Sequence, residues 1–430
     1  MRRAVTLAGL AIVNIAVLFA FQAYLLAVLG PGRPTDALFA ALVLPDIVGG
    51  VLRGPVASVL VTVLAVTGVR VDDVAWTLLF VVTAIVAPGV LLAALTAAWW
   101  VPLCVPGFAP GEQQLAIALA RVLLVGVWAN AAAAVLEARY QAVHRFVRLE
   151  LNHIIAATLS LVLLVAGLAT GGIWVAAWAI ALRPFVQLVG LLPALGWPKA
   201  PEWNDPLLKE TWRRVWPLSL GAAYYKTEPL VDRLLASLAP AGQLSLLSFA
   251  QQIYLAASQV LNKSLVQPAV PRLAQAARDA RWADYRRSIR RRGIVLVLVT
   301  SAALAALALA GRPLLAALLG WGAFTADDKT RLWWLLLALG GVLLGSALTQ
   351  LLAAASYARG NTRMPTAVGM VTYTAGIGLK VILGWWWGVV GIAVAASLQQ
   401  TVAAAAIALL LARQPAVRGH AQAHVQNEGR

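Results

Sequence analysis

Charge is scarce in this 430-residue sequence, and cysteine is almost absent. Charged residues make up 12% of the chain, against about a quarter in a soluble domain. With 61% hydrophobic residues and a mean hydropathy of +0.81, the composition excludes an ordinary water-soluble globule. The single cysteine, Cys104, excludes a disulfide scaffold and a cysteine-based zinc site. The fold class predicted from this composition is an all-α polytopic membrane protein.

The sequence also lacks the motifs of an enzyme. Its four histidines show no metal-ligand spacing, and no glycine-rich phosphate loop is followed by Lys-Ser or Lys-Thr. The connections between apolar runs are short, which leaves no room for an extramembrane catalytic domain. We therefore predict a protein that is not an enzyme and needs no metal or cofactor. Any transport would be coupled to a Na⁺ or H⁺ gradient or to the membrane potential.

Long apolar runs are abundant instead. A helix needs about 20 apolar residues to cross the hydrocarbon core of a membrane. The sequence contains twelve candidates of this kind. They cover residues 4–29, 36–68, 76–101, 113–137, 153–170, 172–195, 214–238, 243–270, 293–319, 332–356, 365–386 and 388–412.

The net charge of +17 arises from 34 lysines and arginines against 17 aspartates and glutamates. If the N-terminus is cytoplasmic, 23 of the cations fall in inner loops or the tail, 4 in outer loops and 7 within spans. This distribution satisfies the positive-inside rule and predicts that both termini are cytoplasmic. The basic segment 272–292 is expected to contact anionic lipids of the inner leaflet, and no nucleic-acid partner is expected.

The two halves of the sequence show weak similarity to each other. A shift of 210 residues places Gly32 over Gly242 and Thr35 over Ser245. Six helices in each half predict two lobes related by a pseudo-two-fold axis along the membrane normal, an arrangement typical of alternating-access transporters. The expected N-terminal lobe, cytoplasmic linker, C-terminal lobe and cytoplasmic tail are 1–198, 199–213, 214–413 and 414–430.

Ionisable residues inside the spans normally face a cavity or a charged partner. The seventh span combines the cations Lys226 and Arg233 with the carboxylates Glu228 and Asp232. Two interpretations are open. In one, the cations hold an anionic head group or the carboxylates take a coupling ion; in the other, the four charges only neutralise one another. Lys380, deep in the eleventh span, is a candidate partner for either carboxylate.

Polar residues on one face of the eighth span favour cavity lining, with hydrogen bonding between helices as the alternative. These residues are Ser245, Ser248, Gln252, Gln259 and Lys263. Combined with the membrane-embedded cations, they give a set of candidate substrate-cavity residues. The set is Arg53, Lys226, Arg233, Gln252, Gln259 and Lys263.

Five segments in collinear order carry recognisable motifs. They are LGPGRPTDALF at 29–39, LPD at 44–46, VPGFA at 105–109, GWGAFT at 320–325 and YARGNTRMP at 357–365. Together they resemble the MurJ-like branch of the multidrug/oligosaccharidyl-lipid/polysaccharide exporter superfamily. The motif residues that the resemblance marks as structural are Gly30, Gly32, Asp36, Pro45, Gly322 and Pro365.

The resemblance implies a two-lobed helical bundle in the bacterial cytoplasmic membrane. Members of this branch flip polyprenyl-pyrophosphate-linked sugars outward by alternating access, so a lipid-linked oligosaccharide is the expected substrate. Enzymes of glycan assembly are possible partners, and a monomer is expected. Lipid II transporters of this branch have fourteen spans, whereas twelve are predicted for this sequence.

The sequence departs from the branch at several charged positions. The residues that stand in place of the family's arginines and one aspartate are Ile15, Phe21, Gly49, Gly50, Gln251 and Gln252. Arg53 and Lys263 are candidate substitutes. On these grounds the preferred substrate is an anionic lipid-linked oligosaccharide for a surface glycan other than peptidoglycan.

Several alternatives remain open at this point. They are a lipid II flippase proper, a drug/cation antiporter of the same superfamily, and a non-transporting scaffold for glycan synthesis. An antiporter of cationic drugs would carry an acidic cavity, whereas the interiors of the spans contain seven cations against three carboxylates, with Asp36 and Glu137 at span ends. An integral glycosyltransferase would need a sizeable catalytic loop, which the short connections exclude.

Overall fold

The structure, a computed structural model, describes residues 2–52, 54, 57–66, 71–197, 199–203, 206–320 and 322–413. Their regular structure is helical, which confirms the all-α prediction. The α-helices are α1 (Arg2–Leu29), α2 (Arg33–Ala41), α3 (Val43–Val51), α4 (Ala57–Val66), α5 (Val71–Leu95), α6 (Ala97–Cys104), α7 (Pro110–Ala142), α8 (Phe146–Leu191), α9 (Pro206–Lys226), α10 (Glu228–Ser237), α11 (Gln243–Leu261), α12 (Val270–Arg278), α13 (Trp282–Leu318), α14 (Ala326–Ala338), α15 (Gly340–Ala358) and α16 (Arg363–Arg413). A π-helical turn, Asn262–Val266, and a 3₁₀ turn, Gln267–Ala269, connect α11 to α12.

Nine helical stretches in the described part of the chain are long and apolar enough to cross a membrane. Two of them, α8 with 46 residues and α16 with 51, are interrupted by a glycine with positive φ, Gly172 at 55° and Gly388 at 57°. Each therefore contains two crossings. The more charged pair of helices α9 and α10 covers the seventh predicted span, so the described helices accommodate the twelve predicted spans.

Both interrupted helices fold back on themselves as antiparallel hairpins. In α8, Nδ2 of Asn152 donates a 3.0 Å hydrogen bond to the carbonyl of Gln187, 35 residues later. In α16, the backbone of Gly376 lies against the side chain of Gln399. The two chain reversals thus occur where the sequence predicts the fifth and eleventh spans to end.

The backbone also supports the internal repeat. Gly172 and Gly388 have nearly the same conformation, with ψ of −142° and −141°, and are 216 positions apart. The turns that precede α8 and α16 contain a second pair at this separation, His144 with φ of 57° and Gly360 with φ of 76°. Few residues in the described part of the chain have positive φ, so the coincidence of two such pairs at one separation favours a duplication.

The chain forms two compact units, one of Met1–Ser248 with Trp321–Phe324 and one of Phe249–Gly320 with Thr325–Arg430. A core in the first unit packs Leu64, Trp76 and Leu136 from α4, α5 and α7. A core in the second unit packs α12, α13, α15 and α16, and the hydroxyl of the buried Tyr285 donates to the carbonyl of Ala355. The predicted lobe boundaries at 198 and 214 remain a prediction.

Ion pairs distinguish the two ends of α7 in the first unit. Near its last residue, Arg139 pairs with Asp72 at 2.8 Å, and Lys199 pairs with the adjacent Asp73 at 2.5 Å. Near its first residue, Glu112 pairs with Arg33 at 2.9 Å. Residues predicted to be inside therefore cluster at one end and residues predicted to be outside cluster at the other.

Candidate functional site

A polar cluster in the first unit forms on one face of α3. Asp46 and Gly50 are four residues apart and so lie one above the other on this helix. Oδ2 of Asp46 accepts a 2.6 Å hydrogen bond from Nη2 of Arg233, which α10 provides. Lys226, the last residue of α9, lies over Gly50, and Asn130 of α7 lies beside the same helix. We call these five residues the Asp46 cluster.

The glycines of α3 create the space for this arrangement. A Cβ atom on Gly50 would lie 2.5 Å from Cε and 3.0 Å from Nζ of Lys226. A Cβ atom on Gly49 would lie 2.9 Å from Nδ2 of Asn130. The absence of side chains at these two positions thus lets α7 and α9 bring polar groups up to the α3 backbone. The volume beside Gly50 is occupied by a cation from another helix.

The Asp46 cluster carries two cations and one carboxylate. The Arg233 side chain is only 11% exposed, whereas that of Asp46 is 49% exposed and Lys226 is also exposed. Nη1 of Arg233, a donor, is buried without a hydrogen-bond partner among the described residues. An unsatisfied buried donor costs about 1–3 kcal/mol, so a ligand oxygen that accepted from this atom would gain that free energy. The cluster is therefore suited to an anion with several acceptor oxygens.

The helix that carries most of these charges is broken between them. Because α9 ends at Lys226 and α10 begins at Glu228, Thr227 lies at the break, and Pro229 occupies the first turn of α10. Lys226 and Arg233 nevertheless both reach the same face of α3. Asp232 is buried in α10, and Glu228 lies at the N-terminus of that helix, where a carboxylate is stabilised.

The other predicted site residues belong to the second unit or lie outside the described residues. Gln252 on α11 is half-buried, whereas Gln259 and Lys263 are exposed, the latter in the π-helical turn. Lys380 in α16 is 1% exposed. Its pairing with Glu228 or Asp232 stays a prediction. Arg53 lies outside the described residues.

A second site joins α2 to the start of α11. The buried carboxylate of Asp36 accepts hydrogen bonds from the backbone N–H groups of Gly242 at 2.5 Å and Ser245 at 2.7 Å. Oγ1 of Thr35 contacts Oγ of Ser245 at 3.4 Å. Residues more than 200 positions apart are thereby held together at the end of the first unit predicted to face outward. We call this group the Asp36 seal.

Close backbone approaches surround the Asp36 seal. Gly30 has φ of +73° and lies against the carbonyl of Ala323. The N–H of Ala323 donates a 2.5 Å hydrogen bond to the carbonyl of Ala27. A Cβ atom on Gly322 would collide with the carbonyl of Ala27. Gly32 is extended, and its N–H donates to Oγ1 of Thr35. Gly30 and Gly322 disfavour side chains, the first because of its positive φ and the second because the backbone of Ala27 lies against it.

The remaining motif residues lie at helix starts. Pro45 is in the first turn of α3, and the buried Pro365 is in the first turn of α16. The first N–H groups of a helix have no partner within the helix, so proline is tolerated at these positions.

Sequence reasoning missed two participants in these sites. Asn130 stands as a lone polar residue in an alanine-rich stretch of α7, and this isolation is the only signal that the sequence offers for it. Ser245 was predicted to lie on a cavity-lining stripe, but the structure buries it completely at the Asp36 seal. Its N–H group donates to Asp36 and its hydroxyl group donates to the carbonyl of Gly242.

Comparison with known proteins gives matches over most of the chain. The family model described as "Lipid II flippase MurJ" matches residues 6–426. A curated relative from Vibrio cholerae serotype O1, "Probable lipid II flippase MurJ", is 25% identical over 215 residues. This alignment covers 50% of the present chain and only 40% of the relative's own length.

Solved structures of low sequence identity share the fold. A lipid II flippase MurJ in an inward closed conformation superposes with a TM-score of 0.81 at 16% identity, covering 96% of this chain and 88% of the other. An inward-facing MATE family multidrug transporter of the MOP superfamily superposes with a TM-score of 0.79 at 15% identity, covering 94% and 100%. The predicted fold class of this membrane protein is thereby confirmed.

Proposed function

The chain belongs to the lipid II flippase MurJ family, and from that premise we propose that it moves a polyprenyl-pyrophosphate-linked saccharide between membrane leaflets. Peptidoglycan lipid II is the substrate that we propose first. The Asp46 cluster is the observation that carries the proposal, because it offers cations to an anionic group beside a helix within the membrane-spanning part of the first unit.

This choice revises the preference reached from sequence, which favoured a glycan other than peptidoglycan. That preference rested on the missing arginines and on the number of spans. The family model and the curated relative support lipid II at least as well. The lack of an arginine at position 50 also no longer argues against lipid II as the substrate, because the side chain of Lys226 on α9 occupies the space beside Gly50.

The proposed binding mode uses this chain's own donors. Nζ of Lys226 and Nη1 of Arg233 would donate to pyrophosphate oxygens, and the Asp46 carboxylate holds the Arg233 guanidinium through Nη2. Guanidinium and ammonium groups bind phosphate through short, charge-assisted hydrogen bonds. No covalent bond forms or breaks in this process. Glu228 and Asp232 remain the candidate carboxylates for a coupling ion.

Release to the other leaflet requires the Asp36 seal to open. Its contacts are two backbone hydrogen bonds to one carboxylate and a contact between two hydroxyl groups, all of which water replaces when they separate. We propose that substrate passage alternates with closure of this seal.

The test is a flipping assay on the full chain in proteoliposomes with fluorescent lipid II. The double variant Lys226→Ala, Arg233→Ala is compared with wild type and with Lys209→Ala, an exposed lysine on the same helix α9. We expect flipping in wild type and Lys209→Ala and its loss in the double variant. A fluorescent phosphatidylcholine controls for bilayer leakage.

The alternatives give different results in the same liposomes. Flipping of another polyprenyl-pyrophosphate saccharide but not of lipid II would restore the earlier preference. Export of a cationic dye without lipid flipping would indicate a drug antiporter, and a scaffold would give neither signal. Assays with imposed Na⁺, H⁺ or electrical gradients, repeated with Glu228→Gln and Asp232→Asn, identify the driving force.

A further inference from the structure

The second unit contains a basic pocket that the proposed function does not use. It lies where α12 and the start of α13 meet the π-helical turn, and its volume is about 570 Å³. Two neutral polar residues, Gln275 and Ser288, also line it. The charged residues that define this basic pocket are Arg272, Arg281, Asp284, Arg287, Arg291 and Arg292.

Two of the five arginines are neutralised by carboxylates. Asp284 lies 3.5 Å from Arg287 and 4.0 Å from Arg281, measured between carboxylate oxygen and guanidinium nitrogen. Arg281 also donates a 2.8 Å hydrogen bond to Asp279. One edge of the basic pocket is therefore balanced in charge.

The other three arginines are not balanced. Arg272, Arg291 and Arg292 form no ion pair with any carboxylate in the described part of the chain. Arg272 and Arg291 lie close enough to repel the charge of Arg292. Folding the chain thus brings three like charges together at a cost that a bound anion would offset.

One of these guanidinium groups is already held in position. Nη1 of Arg292 donates a 2.7 Å hydrogen bond to the carbonyl of Leu265 in the π-helical turn, and the residue is only partly exposed. Its other N–H groups remain for a ligand. A guanidinium presents its donors in a planar fork that matches phosphate oxygens, so the chemistry of the pocket is that of a phosphate group.

The position of the basic pocket in the sequence indicates the source of that phosphate. The apolar run of α13 begins at Gly293, directly after Arg292, and the apolar residues Leu265 and Val295 also line the pocket. The arginines therefore lie at the boundary between the polar surface and the membrane-spanning segment, which is the depth of lipid head groups. We propose that the basic pocket binds the phosphate of an anionic phospholipid head group, independently of the flipped substrate.

The test compares two variants of the full chain with the same change of charge. The pocket variant is Arg272→Gln, Arg291→Gln, Arg292→Gln. The control variant is Arg278→Gln, Arg286→Gln, Arg290→Gln, which removes three exposed arginines of the same segment that do not line the pocket. Native mass spectrometry counts the phosphatidylglycerol molecules retained from phosphatidylglycerol/phosphatidylcholine nanodiscs, and thermal shift measures the stabilisation by added phosphatidylglycerol.

We expect wild type and control to retain phosphatidylglycerol and the pocket variant to bind it roughly tenfold or more weakly, because charge-assisted hydrogen bonds are lost. Equal loss in both triple variants would mean that bulk charge alone attracts the lipid and would overturn the proposal. Stabilisation of wild type by inorganic phosphate, with none by phosphatidylglycerol, would overturn the lipid source. The single variant Arg291→Gln, at an exposed residue, repeats the measurement should the triple variant misfold. Lipid II flipping in the same samples is measured separately, so failure of one proposal does not conceal the other.

Discussion

The contact between Lys226 and Gly50 allows the proposed anion site to be tested by moving its charge from one helix to another. Lys226→Ala removes the ammonium group while leaving the α3 backbone in place. If Nζ binds a phosphate oxygen, the lost charge-assisted hydrogen bond is worth about 1.5–3 kcal/mol. Apparent affinity for the lipid-linked substrate should therefore fall roughly 10- to 150-fold.

Gly50→Arg in the Lys226→Ala background should restore the missing charge from α3. A Cβ atom at this position lies 2.5 Å from Cε of Lys226, so in the wild-type background the new side chain must displace the end of the lysine, which is flexible and exposed. In the Lys226→Ala background that space is free for the introduced guanidinium. We expect the double variant to recover at least a tenth of wild-type flipping, well above Lys226→Ala alone.

The assay is the initial rate of fluorescent lipid II flipping against substrate density in proteoliposomes. Lys209→Ala provides the matched control on α9, and a thermal melt of each variant shows that it is folded. Wild-type flipping by a folded Lys226→Ala variant would refute the role of this ammonium group. A folded double variant no better than Lys226→Ala would refute the idea that the two positions supply charge to one place.

Asp36→Asn should weaken the Asp36 seal by about 1–3 kcal/mol, because one of the two oxygens that accept from Gly242 and Ser245 becomes an NH₂ group, which cannot accept. A lower melting temperature with unchanged helix content would show this loss. Burial raises the pKa of the Cys104 thiol, although the charge of Arg233 opposes this shift. Maleimide labelling, which requires the thiolate, should therefore rise at higher pH in the folded chain than in the unfolded chain. Coincident pH profiles for the two states would contradict this prediction. Gly388→Ala forces an alanine to φ of 57° and ψ of −141° and should destabilise the chain by about 1–3 kcal/mol. Gly378→Ala in the same helix meets no atom within 4 Å and should instead be neutral or stabilising by up to about 1 kcal/mol, and thermal melts of both variants make the comparison.

Local sequence features predicted the helices and their reversals because the physics behind them is local. About 20 apolar residues are enough to make a spanning helix favourable, whatever its neighbours are. The break at Gly172 and the Trp385-Trp386-Trp387-Gly388 turn were visible as small residues and aromatic anchors between apolar runs. The exposed fractions of those tryptophans, 58% to 83%, agree with an interfacial position.

The partners of the charged residues were not predictable in the same way. Helical periodicity gives the face on which Lys226 or Arg233 lies, but not the helix that this face meets. The helix break at Thr227 also separates the two cations, so the seven-residue spacing between Lys226 and Arg233 does not by itself place them on one helix face. Sequence reasoning consequently proposed Arg53 and Lys263 as substitutes for the family arginines and did not consider Lys226 beside Gly50.

By itself, then, the sequence determined the membrane class, the helical fold, the spans and the family resemblance, since these depend on composition, on runs and on motifs. Only the tertiary structure decided that Asp46 receives Arg233, that Gly50 makes room for Lys226 and that Asp36 binds the first amides of α11. Each of these contacts joins residues more than 170 positions apart. Which helices pack together determines these pairs. The sequence around a charged residue or a glycine does not identify the neighbouring helix, so its partner is known only when that helix is in place.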